Sequence, residues 1–240
     1  MIDFFVFMEY SSFCHTRRGI QVVKGSQQRL LETAKHAFAL NGYQATATRD
    51  IANEAKVNIS AITYYFGGKM GLYRAVLQDI AKRVLQELGD KRSLVQEMLA
   101  AEDTTSEQAE NLLYTLISDL CSLVCSSRIP SEDVAVFLHE YFAPGEAFDT
   151  LYQELISPVY ALAAALIVKA TNDTMDHESA TLFTIQLFAE MFVFRSRKQF
   201  ILQQLNWSDY GEKEMTKITD VVIDHTRAFL NLHKKVEKTK

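Results

Sequence analysis

The sequence predicts an all-α protein on three observations. Apolar residues recur at three- and four-residue spacing through one segment after another, the pattern of amphipathic helices. No stretch sustains the apolar–polar alternation of a half-buried strand. The 240 residues include only 9 glycines and 3 prolines (130, 144 and 158), so turns are few and helices long. Roughly nine or ten helices account for the periodic segments. A chain of this length buries a substantial core, as one large domain or two modest ones.

The chain begins with an apolar run, Ile2 to Met8, interrupted by Asp3. It has no basic leader and no small-residue cleavage site, and it is far too short to span a bilayer. Residues 1–25 therefore read as a disordered extension. Arg17, Arg18 and Lys24 lie just ahead of the first helix, where a basic arm would reach a minor groove. That helix runs through Arg29 to Phe38. Thr48 makes a good N-cap for a second helix ending near Ala55, with Ile51, Ala52 and Ala55 as its apolar stripe. Lys56-Val57-Asn58 forms a tight turn, with Val57 as an apolar plug. Ser60 opens a third helix whose buried side is Ile59, Ile62 and Phe66. Ala61, Thr63, Tyr64 and Tyr65 are left on other faces, short enough or aromatic enough to meet a DNA groove and its phosphates. Gly67-Gly68 then breaks the chain before Lys69. Two short helices joined by such a turn are the layout of a helix-turn-helix DNA reader.

Residues 70–88 form one helix linking this head to the body, with Gly89-Asp90 ending or bending it. Further helices cover 94–101, 106–126, 131–143, 146–171, 178–206 and Glu212–His233. Ser131, Glu132 and Asp133 after Pro130 make a sound helix start. Pro158 predicts a kink or break near Ser157. Segment 178–206 is apolar over more of its circumference than a one-sided surface helix needs, and Glu212–His233 adds Met215, Ile218, Val221, Val222, His225, Phe229 and Leu232. Aromatic residues crowd the middle of the body (Phe137, Tyr141, Phe142, Phe148, Tyr152, Tyr160, Phe183 and Phe188), as plain core or as the wall of a ligand site. Arg128, Glu190 and Arg195 stand within or beside these apolar stretches. Each is paired within the protein, exposed, or facing a ligand.

The net charge of −5 conceals an asymmetry. Residues 1–88 hold 11 Lys/Arg against 7 Asp/Glu, a balance of +4, and residues 89–240 hold 14 against 23, a balance of −9. A basic head on an acidic body suits a DNA-binding regulator. The three cysteines (14, 121 and 125) make no disulfide framework, which points to a reducing cytoplasm. Cys121 and Cys125, one helical turn apart, read as buried small side chains. The six histidines have no metal-ligand spacing, and neither a phosphate loop nor a glycine-flanked nucleophilic serine occurs. No catalytic residue, metal or cofactor is expected.

Residues 27–77 resemble the DNA-binding domain of the TetR family of regulators. The resemblance rests on the helix Arg29 to Phe38, Asn41-Gly42-Tyr43, Ala47-Thr48, Ile51-Ala52, Val57, Tyr64-Tyr65-Phe66, Lys69 and Leu72-Tyr73. The C-terminal part resembles the CecR-like branch through Ile156-Ser157-Pro158, Glu190 to Arg195 and Asn206-Trp207. The resemblance implies an N-terminal three-helix helix-turn-helix domain over residues 26–70 and a helical ligand-binding and dimerisation domain over 71–240. Carried over by position, Thr48, Arg49, Asn58, Ser60, Ala61, Thr63, Tyr64, Tyr65 and Lys69 face double-stranded operator DNA. Asn58, Ala61 and Thr63 are placed to meet base edges, and Tyr65 and Lys69 to meet phosphates. The implied small-molecule inducer site draws on Arg128, Phe137, Tyr141, Tyr152, Phe188 and Arg195. The implied homodimer face, formed by the last two long helices, draws on Phe200, Val222 and Phe229. The expectation is a homodimeric, cytoplasmic repressor with no membrane partner, bound to a palindromic operator and released by its ligand. Two rivals stand beside it: an all-α ligand-binding protein whose head no longer reads DNA, and an enzyme using Cys121 or Cys125, for which the sequence supplies no base.

Overall fold

The computed structural model describes residues 25–234 except positions 90, 102 and 127, with only the backbone at 91 and 92. The expected extension before Gly25, with Arg17, Arg18 and Lys24, lies outside the described residues. Among the described residues every regular element is helical. The chain forms two compact units, described over 25–84 with Ile129–Leu155, and over Leu85–Arg128 with 156–234.

The first unit contains α1 (Ser26–Ala45), α2 (Thr48–Glu54), α3 (Ser60–Phe66), α4 (Lys69–Leu88) as far as Val84, α7 (Ser131–Phe142) and α8 (Phe148–Leu151). Leu30, Ala34 and Phe38 recur every fourth residue on α1 and are fully buried, as are Ile51, Ile62, Leu72, Val76, Leu77 and Ile80. The regular course of α1 ends at Gly42, which leaves helical geometry. Tyr43 then turns its ring against Phe38 and Tyr73, with centroids 6.1 Å and 4.9 Å away, and the buried Thr46 hydroxyl donates to the Gly42 carbonyl at 2.7 Å.

A charged cluster ties α1, α4 and α7 together. Lys35 Nζ lies 2.6 Å from Asp79 and 3.1 Å from Asp133, and Arg83 Nε lies 2.9 Å from Asp133. Asp133 and Lys35 are buried, so each charge needs the other. The two Asp133 contacts are ion pairs by distance but are not aligned as hydrogen bonds. Burial pushes the Asp133 carboxyl above the usual carboxylate range against the pull of Lys35 and Arg83. At Asp79 burial also raises the pKa, but Lys35 and Arg83 outweigh it and hold the carboxyl low. Beside the cluster, Tyr73 donates to buried Glu140 at 2.9 Å, which also accepts the Gly145 N–H at 2.8 Å.

The second unit contains α5 (Lys91–Ala100), α6 (Ser106–Cys125), α9 (Ser157–Ala170), α10 (His177–Ser196), α11 (Lys198–Leu205) and α12 (Glu212–His233). Thr105 and Gln108 form a reciprocal capping box at the start of α6, and Asp176 caps α10 by accepting the Ser179 N–H at 2.8 Å. Helix α6 packs on α9, α10 and α12, burying Ala109, Leu113, Ile117 and Cys121 along one stripe. Burial pushes the Cys121 thiol to about 12 and the Cys125 thiol to about 11.

The structure departs from the sequence expectations at breaks. Segment 146–171 divides into α8, one wide π-helical turn at Tyr152–Ile156, and α9 with Pro158 in its first turn. A proline there has no N–H to give and would clash with the preceding carbonyls, and the wider turn relieves both. Segment 178–206 is not one helix. Arg197 (φ −117, ψ 24) separates α10 from α11, and the Tyr210 hydroxyl donates to the Phe194 carbonyl at 2.9 Å beside the break. Phe148–Ala170 is long and apolar enough to cross a membrane by composition. Its α9 portion nevertheless buries Val159, Ala163, Leu166, Ile167 and Ala170 in a core shared with α6 and α10.

Candidate nucleic-acid interface

Helix α1 packs on both α2 and α3, which pack on each other. Arg29 Nε donates to the Ala55 carbonyl at 3.2 Å, placing a cation at the C-terminal end of α2 where the helix dipole favours one. The turn out of α2 runs through Lys56 at φ 55, and the Val57 N–H donates to the Ala52 carbonyl at 3.0 Å. Val57 is half-buried, consistent with a plug between the helices. Asn58 Oδ1 accepts the Ser60 N–H at 2.9 Å and the Ser60 hydroxyl at 2.8 Å, closing a local turn across Ile59 at the start of α3. Thr48 is the first residue inside α2, behind Ala47, and does not serve as a side-chain cap.

Helix α3 ends on Gly67 (φ 74) and Gly68 (φ 118), a pair of left-handed conformations that glycine adopts at little cost. The chain then doubles back tightly. A Cβ on Gly71 would lie 1.7 Å from the Phe66 carbonyl oxygen, so the first turn of α4 sits directly on the end of α3.

With Ile62 turned into the core, α3 presents Ser60, Thr63, Tyr64 and Tyr65 to the outside, preceded by exposed Asn58. Tyr64 is 82% exposed and meets Tyr65 edge-on at 5.0 Å. Arg49 is exposed and Thr48 and Ala61 half-buried. Lys69 Nζ donates to the Gln44 carbonyl at 3.3 Å and stands 4.5 Å over the Tyr43 ring, with partial desolvation lowering its pKa. All nine residues assigned to DNA from the sequence belong to the first unit, and none is buried. Ile59 differs from expectation. It is 49% exposed because it occupies the N-cap position, ahead of the first turn that would have buried it.

The residues expected to meet a ligand divide between the units. In the first, Phe137 and Tyr141 are half-buried and stacked (5.5 Å, 16°), and Tyr152 is exposed against Phe148. In the second, Arg128 is an exposed surface arginine held by Glu87 at 2.8 Å. Arg195 reaches the Ser126 carbonyl at 3.4 Å, and Glu190 pairs with His225 at 2.8 Å instead of with Arg195. Phe188 is buried and stacked on Tyr160 at 4.2 Å.

For the expected dimer face the structure corrects one residue. Val222 is fully buried within its own unit and has no surface to offer a partner. Phe229 is half-buried and stacked on Phe183 at 3.6 Å, whereas Phe200 is exposed. The exposed apolar residues on the two long helices are Leu182, Ile185 and Val193 of α10 and Val221 and Leu232 of α12. Apolar periodicity along both helices is visible in the sequence, but which of two apolar faces points outward is not.

A helix-turn-helix in a chain whose described elements are all helical is the make-up of a DNA-binding transcriptional regulator. The profile of the bacterial regulatory proteins, tetR family, matches residues 30–76, and the C-terminal domain of the HTH-type transcriptional dual regulator CecR matches residues 109–231. The chain belongs to the TetR family, in its CecR-like branch. It is similar to the HTH-type transcriptional dual regulator CecR of Shigella flexneri, with 28% identity over 206 residues, 85% of this chain and 91% of that one. Among solved structures it resembles a TetR-family transcriptional regulator of Mesorhizobium loti (TM-score 0.52, 17% identity, 85% of this chain and 96% of that). It also resembles FadR of Bacillus subtilis in complex with stearoyl-CoA (TM-score 0.54, 14% identity, 83% and 96%). At these identities the structures show the shared fold. Regulators of this family bind DNA and ligands and act as dimers.

Proposed function

We propose that the chain is a homodimeric, cytoplasmic repressor that binds a short palindromic operator through α2 and α3 and leaves it when a small molecule binds. The observation that carries the DNA contact is the outer side of α3, where Tyr64 stands almost fully in water while Ile62 anchors the opposite side. A ring so exposed contributes little to the fold and is available for a nucleic-acid surface. Thr48, Arg49, Asn58, Ser60, Ala61, Thr63, Tyr65 and Lys69 complete the proposed interface. Residues 26–70 are the proposed DNA-binding domain, and residues 71–240 the ligand-binding and dimerisation domain.

Two-fold symmetry would come from α10 and α12. Leu182, Ile185 and Val193 on one and Val221 and Leu232 on the other are exposed along one side of each helix. The proposed ligand contacts are Phe188 and Arg195 of the second unit, which favour an apolar or aromatic inducer with one anionic group. The test is a mobility shift of DNA from upstream of the protein's own gene. Tyr64→Ala is expected to bind at least tenfold more weakly while melting like the parent, and unchanged binding overturns the assignment of α3.

A further inference from the structure

We propose that Ile59 reads the C5-methyl group of one thymine in each operator half-site. The inference rests on the DNA-reading role of α3 proposed above and names one of its specificity determinants. In helix-turn-helix proteins the amino-terminal residues of the second helix contact the base edges. Here that end of α3 carries Asn58, Ile59, Ser60 and Ala61. The Asn58 carboxamide oxygen is occupied twice by Ser60, which ties both polar side chains into the local turn. Ala61 is a single methyl. The remaining projecting group is the Ile59 side chain, apolar and left half in water.

Two features make it a reader. A β-branched side chain has few rotamers, so little freedom is lost when it is fixed against a base. On the major-groove edges of the four bases the thymine methyl is the single apolar group, so an apolar side chain there discriminates for thymine. Burying that methyl against Ile59 removes two apolar surfaces from water in the complex, neither of which the free protein covers.

The test uses the full chain to select duplexes from a random library. Each thymine of the enriched sequence is then replaced by deoxyuridine, which removes the methyl and keeps every hydrogen-bonding group. The expected result is one position per half-site at which replacement weakens binding about fourfold, the effect of one buried methylene-sized group. Ile59→Ala is expected to melt like the parent and to lose that sensitivity while keeping its response elsewhere. If Ile59→Ala binds too weakly to measure, Ile59→Val, which trims one carbon, gives the same comparison with a smaller drop. An Ile59→Ala chain as sensitive as the parent to every replacement, or a parent indifferent to all of them, overturns the inference and leaves the DNA-reading role standing. A selection that enriches no duplex overturns that role, and the inference with it.

Discussion

Single residues in this chain differ widely in what they hold. Lys35 and Asp133 are buried in contact with each other, and Arg128 and Glu87 meet in water. Removing one member of a buried pair strands the other and costs about 3 kcal/mol, while an exposed pair is worth under about 1 kcal/mol. Lys35→Ala is therefore expected to lower the melting temperature by roughly 6 to 12 °C and Glu87→Ala by no more than a few degrees. Equal losses in calorimetry would show that the α1–α4–α7 cluster is not the anchor described. Gly71 is the sharper case, because the atom its Cβ would strike is the Phe66 backbone and not a mobile side chain. Gly71→Ala is expected to cost about 2 kcal/mol or more by forcing α3 and α4 apart. A variant as stable as the parent would contradict that close approach.

At the scale of elements, much was legible in the sequence. Ile51, Ala52, Ile62 and the tyrosines mark α2 and α3, and the bounds of Glu212–His233 follow from periodicity. What was not legible has physical reasons. The break at Arg197 lies within an apolar run and carries no proline or glycine, and its neighbouring hydrogen bond comes from Tyr210, thirteen positions further on. Burial of Val222 and exposure of Val221 could not be told apart, because α12 is apolar on two sides. Its inner stripe of Ile218, Val222, Thr226 and Leu230 includes a threonine that hides its polarity by donating to the Val222 carbonyl at 2.8 Å. The π-helical turn before Pro158 is a local response to the proline, and only its place could be expected. The turn between α2 and α3 carries its own prediction. Lys56 holds a left-handed conformation that glycine adopts more cheaply, so Lys56→Gly is expected to stabilise the protein by about 0.5–1 kcal/mol. A destabilised variant in a urea titration would mean that the lysine side chain secures the turn.

For the whole molecule, the proposed dimer face separates two variants that look alike in sequence. Leu232 is exposed and Val222 is sealed in the core of the second unit. Leu232→Glu is expected to yield folded monomers, because the charge falls on the proposed seam. Val222→Asp is expected to unfold the unit instead, since a buried unpaired carboxylate costs several kcal/mol. Light scattering with circular dichroism distinguishes them. A dimeric Leu232→Glu chain at micromolar concentration would place the seam elsewhere.

The central claim is that a symmetric pair of these chains reads DNA through α3, and a footprint of the full chain on its selected duplex tests it most directly. The account predicts a two-fold symmetric protected site whose half-sites lie one duplex turn, about 34–36 Å, apart, lost together on Tyr64→Ala. Protection of a single unrepeated element, or a symmetric footprint that survives Tyr64→Ala unchanged, would contradict it.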